Sequence, residues 1–387
     1  MYPLSSKLKI VILGYIVRGP YGGLVWHHLQ YVLGLKKLGH EVLFVEDSDE
    51  YASCSNPFTP ELTKEPSYGL QFIKDVFDHF DMKNDWAYYD SHTTTWHGLS
   101  KENVFSFCDC ADIVLNISAV NPLRSWWSKI PNRILIDTDP VFTQIRHLTN
   151  KNDNKIAQHH TAFFSFGENF GKPGCTIPDD GFTWKPTRQP IFLGAWKITE
   201  HYQNAKWTTV MQWDSYKEKI FANRAFGMKS SSFSEFENLP HLIPAEHFEL
   251  AIGSASAPVE KLKNNGWKVI SSIVPTETAW SYQDYIMQSK GEWSVAKHGY
   301  VVSNSGWFSE RSTCYLASGK PVLVQDTGFS DLIETGKGLF SFSSVEHIMN
   351  SIEDINGNYV QHCKWAREIA EEYFDGTKVL RSLLENI

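Results

Sequence analysis

The sequence predicts an α/β protein made of two Rossmann-like domains that face each other across a cleft. Three observations carry this. Short β-branched runs alternate with segments of helical periodicity along the whole chain, the pattern of parallel strands joined by crossover helices. The length of 387 residues suits two domains rather than one. A proline-bounded stretch near the middle, Pro186-Thr187-Arg188-Gln189-Pro190, favours a linker, and the alternation restarts after it. The expected division is 1–190 and 191–387, with the final helix packing back on the first domain.

The opening unit is the clearest. Residues 9–15 read as a buried strand, Arg18-Gly19-Pro20-Tyr21-Gly22-Gly23 as a turn, and 24–38 as a helix whose apolar face carries Val25, Leu29, Val32 and Leu33. Gly39 stands where a helix ends in a left-handed residue. Residues 41–46 form the next strand, completing a βαβ unit. Further strands are expected at 111–118, 133–137 and 161–166, with helices at 68–80, 101–107, 122–129 and 140–148. The stretch 48–66 reads as a long loop. In the second half the expected strands are 208–213, 248–253, 267–271, 299–303, 321–325 and 339–342. The expected helices there are 258–265, 281–289, 309–318 and 345–355, with a broken helix over 359–384. Ligands of open α/β sheets bind outside the carboxyl ends of their strands, so the chemistry is expected in the cleft.

Composition narrows the function classes. With 36 basic and 44 acidic residues the formal charge is -8, which argues against strong nonspecific nucleic-acid binding. None of the six cysteines has zinc-ligand spacing, and reduced thiols are the expectation. The apolar run after Lys9 is about eight residues, too short for a transmembrane segment and without signal-peptide flanks; a cytoplasmic protein follows as the expectation. The 14 tryptophans suit sugar-stacking surfaces but mostly fill cores.

Four constellations are candidates for chemistry. In the first turn, Gly22 and Gly23 let backbone N–H groups approach a ligand, and the helix start favours an anion. His27, one turn in, is placed to reach the cleft as a base, whereas His28 shares the apolar face with Val25 and Leu29. Second, Asp137 ends a strand and is the candidate acceptor-binding or basic carboxylate. Asp139, just before Pro140, reads as a helix cap. Third, Lys229 and Lys297 lie in segments of the second half that can meet a diphosphate. The fourth runs from Ser303 to Gly328. Here a helix opens with Ser309, Glu310, Arg311, Ser312 and Thr313, followed by a glycine stop, a strand and the polar turn Asp326-Thr327-Gly328. The N–H groups of such a helix start hold a diphosphate without a metal. Arg311 offers bidentate neutralisation, and Glu310 an acceptor for sugar or ribose hydroxyls.

The run Leu316-Ala317-Ser318-Gly319-Lys320-Pro321-Val322 resembles the A-x-G-x-P-V segment of glycosyltransferases with the GT-B fold. Gly22-Gly23 and Leu38-Gly39-His40-Glu41-Val42 resemble the opening half of that fold. Phe308-Ser309-Glu310-Arg311-Ser312 and Gln325-Asp326-Thr327-Gly328-Phe329-Ser330 resemble a bacterial family-one-like glycosyltransferase subfamily. The resemblance implies a nucleotide-diphosphate sugar held mainly by the second half and an acceptor hydroxyl held mainly by the first. Retaining members commonly carry a Glu-x7-Glu pair; its positions are Gly306 and Cys314 here, so the resemblance assigns neither retention nor inversion.

The expected function is therefore transfer of a sugar from a nucleotide-diphosphate sugar to an acceptor hydroxyl, with no cofactor and no metal. Catalysis falls to Asp137, His27 and Glu310. Donor binding falls to Gly22, Gly23, Lys229, Lys297, Ser309, Glu310, Arg311, Ser312, Thr313, Asp326 and Thr327. The alternatives are a nucleotide-sugar epimerase or sugar phosphorylase on the same architecture, or a noncatalytic nucleotide-sugar-binding protein.

Overall fold

The computed structural model describes residues 7–59, 64–199 and 205–387. Residues 60–63 of the expected long loop, 1–6 of the expected first domain and 200–204 after the proline-bounded stretch lie outside the described residues.

Two sheets organise the chain. The first holds β1 (Lys9–Leu13), β2 (Glu41–Asp47), β3 (Trp86–Asp90), β4 (Thr95–Gly98), β5 (Ile113–Ile117), β6 (Asn132–Asp137), β7 (Ala162–Ser165) and β8 (Trp184–Pro186). Their spatial order is β4-β3-β2-β1-β5-β6-β7-β8, and every pair is parallel except β3 with β4. After the hairpin β10 (Lys219–Phe221) and β11 (Arg224–Phe226), most of the second sheet follows. It comprises β9 (Trp207–Met211), β12 (Phe248–Ile252), β13 (Lys268–Ser271), β14 (Gly291–Ser294), β15 (Val322–Gln325) and β16 (Leu339–Phe342). These run parallel in the order β13-β12-β9-β14-β15-β16. Both sheets are thus doubly wound, with the order reversing beside β1 and beside β9. Crossover helices bury both faces of the central strands, which is why Lys-Ile-Val-Ile-Leu and Phe-Glu-Leu-Ala-Ile read as apolar runs.

Several expectations are corrected. Residues 299–303 are not a strand but the helix His298–Val302. The ladder position belongs to β14, where Gly291 admits the close backbone approach of Pro321: a Cβ there would stand 2.4 Å from the Pro321 carbonyl oxygen. The expected helix 122–129 is a succession of turns. Strands β3, β4 and β8 escape the sequence pattern because they are aromatic or short. Pro186 ends β8 itself, tolerated because an edge strand can lack one donor.

The two sheets share apolar packing. Helix Gly22–Lys37 follows β1 and lies against helix Ala279–Met287 of the second half, where the Trp26 indole donates to the Ala279 carbonyl at 2.9 Å. It also meets the terminal helix Gly376–Glu385, whose Leu380 sits where a Cβ on Gly34 would fall 2.5 Å away. Trp26, Trp196, Tyr282, Phe308 and Phe374 belong to this one buried cluster. No helix of the described residues is long and apolar enough to cross a membrane.

Gly22 is the tightest point of this junction. A Cβ there would stand 2.4 Å from the Thr278 carbonyl oxygen and 2.7 Å from Tyr282 Cβ, neither of which can swing aside. Gly22→Ala is expected to cost about 1–3 kcal/mol of stability by overpacking and to push the two halves apart. Gly23→Ala, whose Cβ meets only the Tyr282 ring at 3.2 Å, should cost less. Thermal melting and small-angle scattering check this, and an unchanged melting temperature for Gly22→Ala would mean the junction is not held as described.

Candidate functional site

The carboxyl ends of both sheets open on a cleft of about 740 Å³. Tyr15, Gly23, His27, Thr138, Asp139 and Arg146 line it from the first half. Lys229, Lys297, Tyr300, Trp307, Glu310 and Arg311 are among those facing them from the second. A side pocket of about 630 Å³ in the first half shares Tyr15, Ser55, Ser118, Val120 and Arg146 with the cleft. In it the Arg18 guanidinium lies 5.3 Å from the Tyr15 ring centre and 5.2 Å from that of Tyr51.

The chain leaving β1 binds a carboxylate of the protein's own before it reaches Gly22 and Gly23. The carboxylate of Glu46, on β2, accepts from the N–H groups of Ile16, Val17 and Arg18 at 2.6, 2.7 and 2.8 Å, and Arg18 Nε pairs with it at 3.3 Å. Of the two candidate glycines, Gly23 lines the cleft, whereas Gly22 serves the junction between the halves.

Helix Glu310–Ala317 points its start into the cleft. Ser309 caps it, its hydroxyl accepting from the Arg311 N–H at 3.2 Å. Gly306, at φ +74°, and Gly328, at φ +89°, shape the loops on either side. Asn169 of the first half stitches these loops, its side-chain amide donating to the carbonyls of Asn304 and Gly328 at 3.2 and 3.1 Å. Glu310 and Ser309 face the cleft. Thr313 does not, its hydroxyl donating to the Glu310 carbonyl at 2.7 Å. Ser312 is fully buried behind the first turn. Asp326 accepts from the Gly328 N–H and the Ser330 hydroxyl, and the Thr327 hydroxyl donates to the Trp307 carbonyl at 2.6 Å. Thr313, Asp326 and Thr327 therefore build the loop and do not line the cleft.

The cations divide by role. Arg311 is committed inward: Nε donates to Glu292 Oε1 at 2.5 Å, and the terminal nitrogens donate to the Val210 carbonyl and the Ser294 hydroxyl at 2.8 Å each. It ties the helix to β9 and β14, and Glu292 is fully buried, so removing Arg311 strands a charge. Lys229, at the start of helix Lys229–Phe233, lines the cleft. Burial first, and the Arg311 charge second, push its amine down to about 7. Lys297 also lines the cleft, but its amine donates to Asp139 Oδ1 at 2.8 Å and to the Tyr216 hydroxyl at 3.0 Å.

The two acids at the end of β6 exchange their expected places. Asp137 is buried; its carboxylate accepts from the Asp139 N–H at 2.9 Å, Gln144 Nε2 at 3.0 Å and the Ser165 hydroxyl at 2.8 Å. Burial pushes its carboxyl up. It organises the turn between β6, β7 and helix Phe142–Thr149, and it does not reach the cleft. Asp139 does, gripped by Lys297, Tyr216 and Tyr300 of the second half. Burial pushes the Asp139 carboxyl up, but Lys297 and Arg146 outweigh this and hold it below the ordinary range. His27 lines the cleft; burial pushes its imidazole down, which favours the neutral form. His28 lies deeper, its Nε2 accepting from the Tyr15 N–H at 3.3 Å. Among the described residues, no three His, Cys, Asp or Glu side chains are grouped to hold a metal ion. Tyr216 and Tyr300 carried no sequence signal of their own. Asp139 had one, as the second acid beyond a strand end.

No protein-family model and no curated protein sequence matches the chain. Solved structures do. One is an alpha-glucosyltransferase in complex with UDP and a 13-mer DNA containing a central A:G mismatch, with TM-score 0.59 and 10% identity over 98% of this chain and 99% of that one. Another is AviGT4, a glycosyltransferase involved in avilamycin A biosynthesis, with TM-score 0.54 and 13% identity over 98% and 96%. A third is HepE of Anabaena, in complex with UDP and glucose, with TM-score 0.55 and 10% identity over 98% and 99%. At these identities the likeness lies in the fold: the chain has the two-sheet, cleft-forming GT-B architecture seen in glycosyltransferases.

Proposed function

We propose that the chain is a metal-independent glycosyltransferase that moves a sugar from a nucleotide-diphosphate sugar to an acceptor hydroxyl. The observation that carries this reading is the pairing of Lys229, a cleft amine pushed down to about 7, with the helix start at Ser309 and Glu310 in the same cavity. A poorly solvated amine beside first-turn N–H groups is an environment built to receive negative charge. In the reaction the bond from the sugar's anomeric carbon to the diphosphate oxygen breaks, and charge appears on the departing nucleotide. Lys229 and the helix start stabilise that charge. Glu310, at the first helical position and facing the cleft, accepts from donor hydroxyls. The acceptor enters from the first half, where the side pocket joins the cleft. If the anomeric centre inverts, the acceptor proton goes to His27, whose neutral imidazole lines the cleft. Asp137 has no part in this, because its lone pairs already serve the turn after β6.

UDP is the first nucleotide to test, since two of the three similar structures carry it. A thermal-shift panel of nucleotides and nucleotide sugars is expected to give a stabilisation that grows with the logarithm of ligand excess. Transfer, followed by nucleotide release, should persist in excess EDTA. Loss of activity with EDTA, restored by manganese or magnesium, would place the diphosphate on a metal instead. Isomerisation of the donor alone would indicate an epimerase, phosphate-dependent sugar release a phosphorylase, and tight donor binding without turnover a noncatalytic binder.

Lys229 gives the reading a pH signature. Burial holds the Lys229 amine down at about 7, and a bound diphosphate raises its pKa, so binding near and above that pH takes up a proton. Above pH 7, where the terminal phosphate is already ionised, UDP affinity should fall as pH rises to 8.5, by at most about tenfold per unit. Lys229→Met should bind UDP roughly 10–150-fold more weakly and lose that slope. Calorimetry in buffers of different ionisation enthalpy reads the proton directly; an unchanged slope in the variant would remove Lys229 from the donor site.

A further inference from the structure

Asp139 belongs to the first half, at the turn after β6, yet three of its four polar partners come from the second. Lys297 Nζ donates to Oδ1 at 2.8 Å, the Tyr216 hydroxyl to Oδ2 at 2.6 Å, and the Tyr300 hydroxyl to Oδ1. The fourth is Arg146 of its own half, 3.7 Å from Oδ2. The Lys297 ammonium also lies 5.1, 4.5 and 5.3 Å from the ring centres of Phe142, Tyr216 and Tyr300. The Lys297 and Asp139 side chains are only 14% and 19% exposed, and both face the same cleft as Lys229 and Glu310. Lys297 thus holds a protein carboxylate in a cavity read above as the seat of a diphosphate.

We propose that Asp139 is a positioning residue that occupies Lys297 in the empty cleft and yields it to the donor diphosphate, so that loading the donor exchanges an ion pair across the two halves for a contact to substrate. This rests on the cleft being the donor site. One ammonium cannot serve two anions at full strength, and a diphosphate carries at least twice the charge of a carboxylate. Asp139 is not stranded by the exchange, because Arg146, Tyr216 and Tyr300 remain beside it. The consequence has an unusual sign. Asp139 competes with the donor for Lys297, so removing its charge strengthens donor binding, whereas mere damage to the cleft weakens it.

The test is calorimetric binding of UDP to the full-length protein and three variants, with melting temperatures alongside. Asp139→Asn is expected to bind UDP about three- to tenfold more tightly than the wild type. Lys297→Met should bind it roughly tenfold or more weakly, and Asp139→Asn combined with Lys297→Met should match Lys297→Met alone, since Asp139 acts only through that lysine. Unchanged or weaker binding by a normally folded Asp139→Asn, or equal tightening without Lys297, overturns the proposal. Should Asp139→Asn fold poorly, the wild type crystallised with UDP decides. Lys297 Nζ is expected on a phosphate oxygen and beyond about 4 Å from Asp139, the reach of an ion pair; Lys297 still on Asp139 beside a seated UDP overturns it. A wild type that binds neither UDP nor any other nucleoside diphosphate ends the donor reading and this proposal with it. Firm wild-type binding without the gain in Asp139→Asn ends this proposal alone.

Discussion

Helix Gly22–Lys37 is the contact on which the rest of the arrangement depends. It leaves β1 at the carboxyl edge of the first sheet and presents one face to its own sheet. Another face meets helices Ala279–Met287 and Gly376–Glu385. The buried cluster around Trp26 therefore belongs to both halves at once, and the Trp26 indole is satisfied by a carbonyl across the junction. Because the close approach is made through Gly22 and Gly34, backbone meets backbone or side chain with little slack. A rigid contact of this kind fixes how the two carboxyl edges face each other. Asn169 and Asp139 add polar ties between the halves at the cleft itself.

That geometry decides what each charge does. Buried ions demand partners, and the partners in reach depend on where the chain has placed the group. Glu46 takes the N–H groups of Ile16, Val17 and Arg18 ahead of the helix start. Arg311 pairs with the buried Glu292 behind the helix start, so the arginine most suited by chemistry to bind phosphate is a strut. Lys229 faces the cavity with its amine held down by burial and by Arg311, and the capacity to bind an anion therefore rests on the cleft lysines rather than on this arginine.

The fold was legible because parallel strands covered on both faces carry long apolar runs, and because glycines such as Gly39, at φ +93°, mark helix ends. Where it was not legible, a tertiary interaction stood in for the pattern. β14 reads Gly-Glu-Trp-Ser and looks polar, yet its glutamate is matched by an arginine nineteen residues along the chain. Tyr300-Val301-Val302 reads as a strand by its β-branched residues, yet the ladder is already complete and the segment turns into a helix. The helix that opens at Ser309 was legible from the hydroxyls of its first turn and from its glycine stop at Gly319, φ +67°. Asp137 and Asp139 were given each other's places, because their roles are set by the path of the turn. Asp137 is the last residue of β6, in register with Ser165 of β7, and points into the protein. Asp139, two residues on, emerges where the second half can reach it.

The same two acids show why the cleft is better understood as a set of competing pairs than as a list of ligands. Asp139 enters the cleft only because Asp137 anchors the turn beneath it, accepting the Asp139 N–H. Once there, it meets Lys297 and two tyrosines that no local sequence feature links to it. A cavity of about 740 Å³ lined by several cations needs anions to balance them, and the first half supplies one in Asp139. The result is a cleft whose halves are drawn together by an ion pair in the very cavity where an anionic ligand would sit. Affinity for such a ligand is then a difference between two pairings of the same lysine, and residues that touch no substrate help to set it.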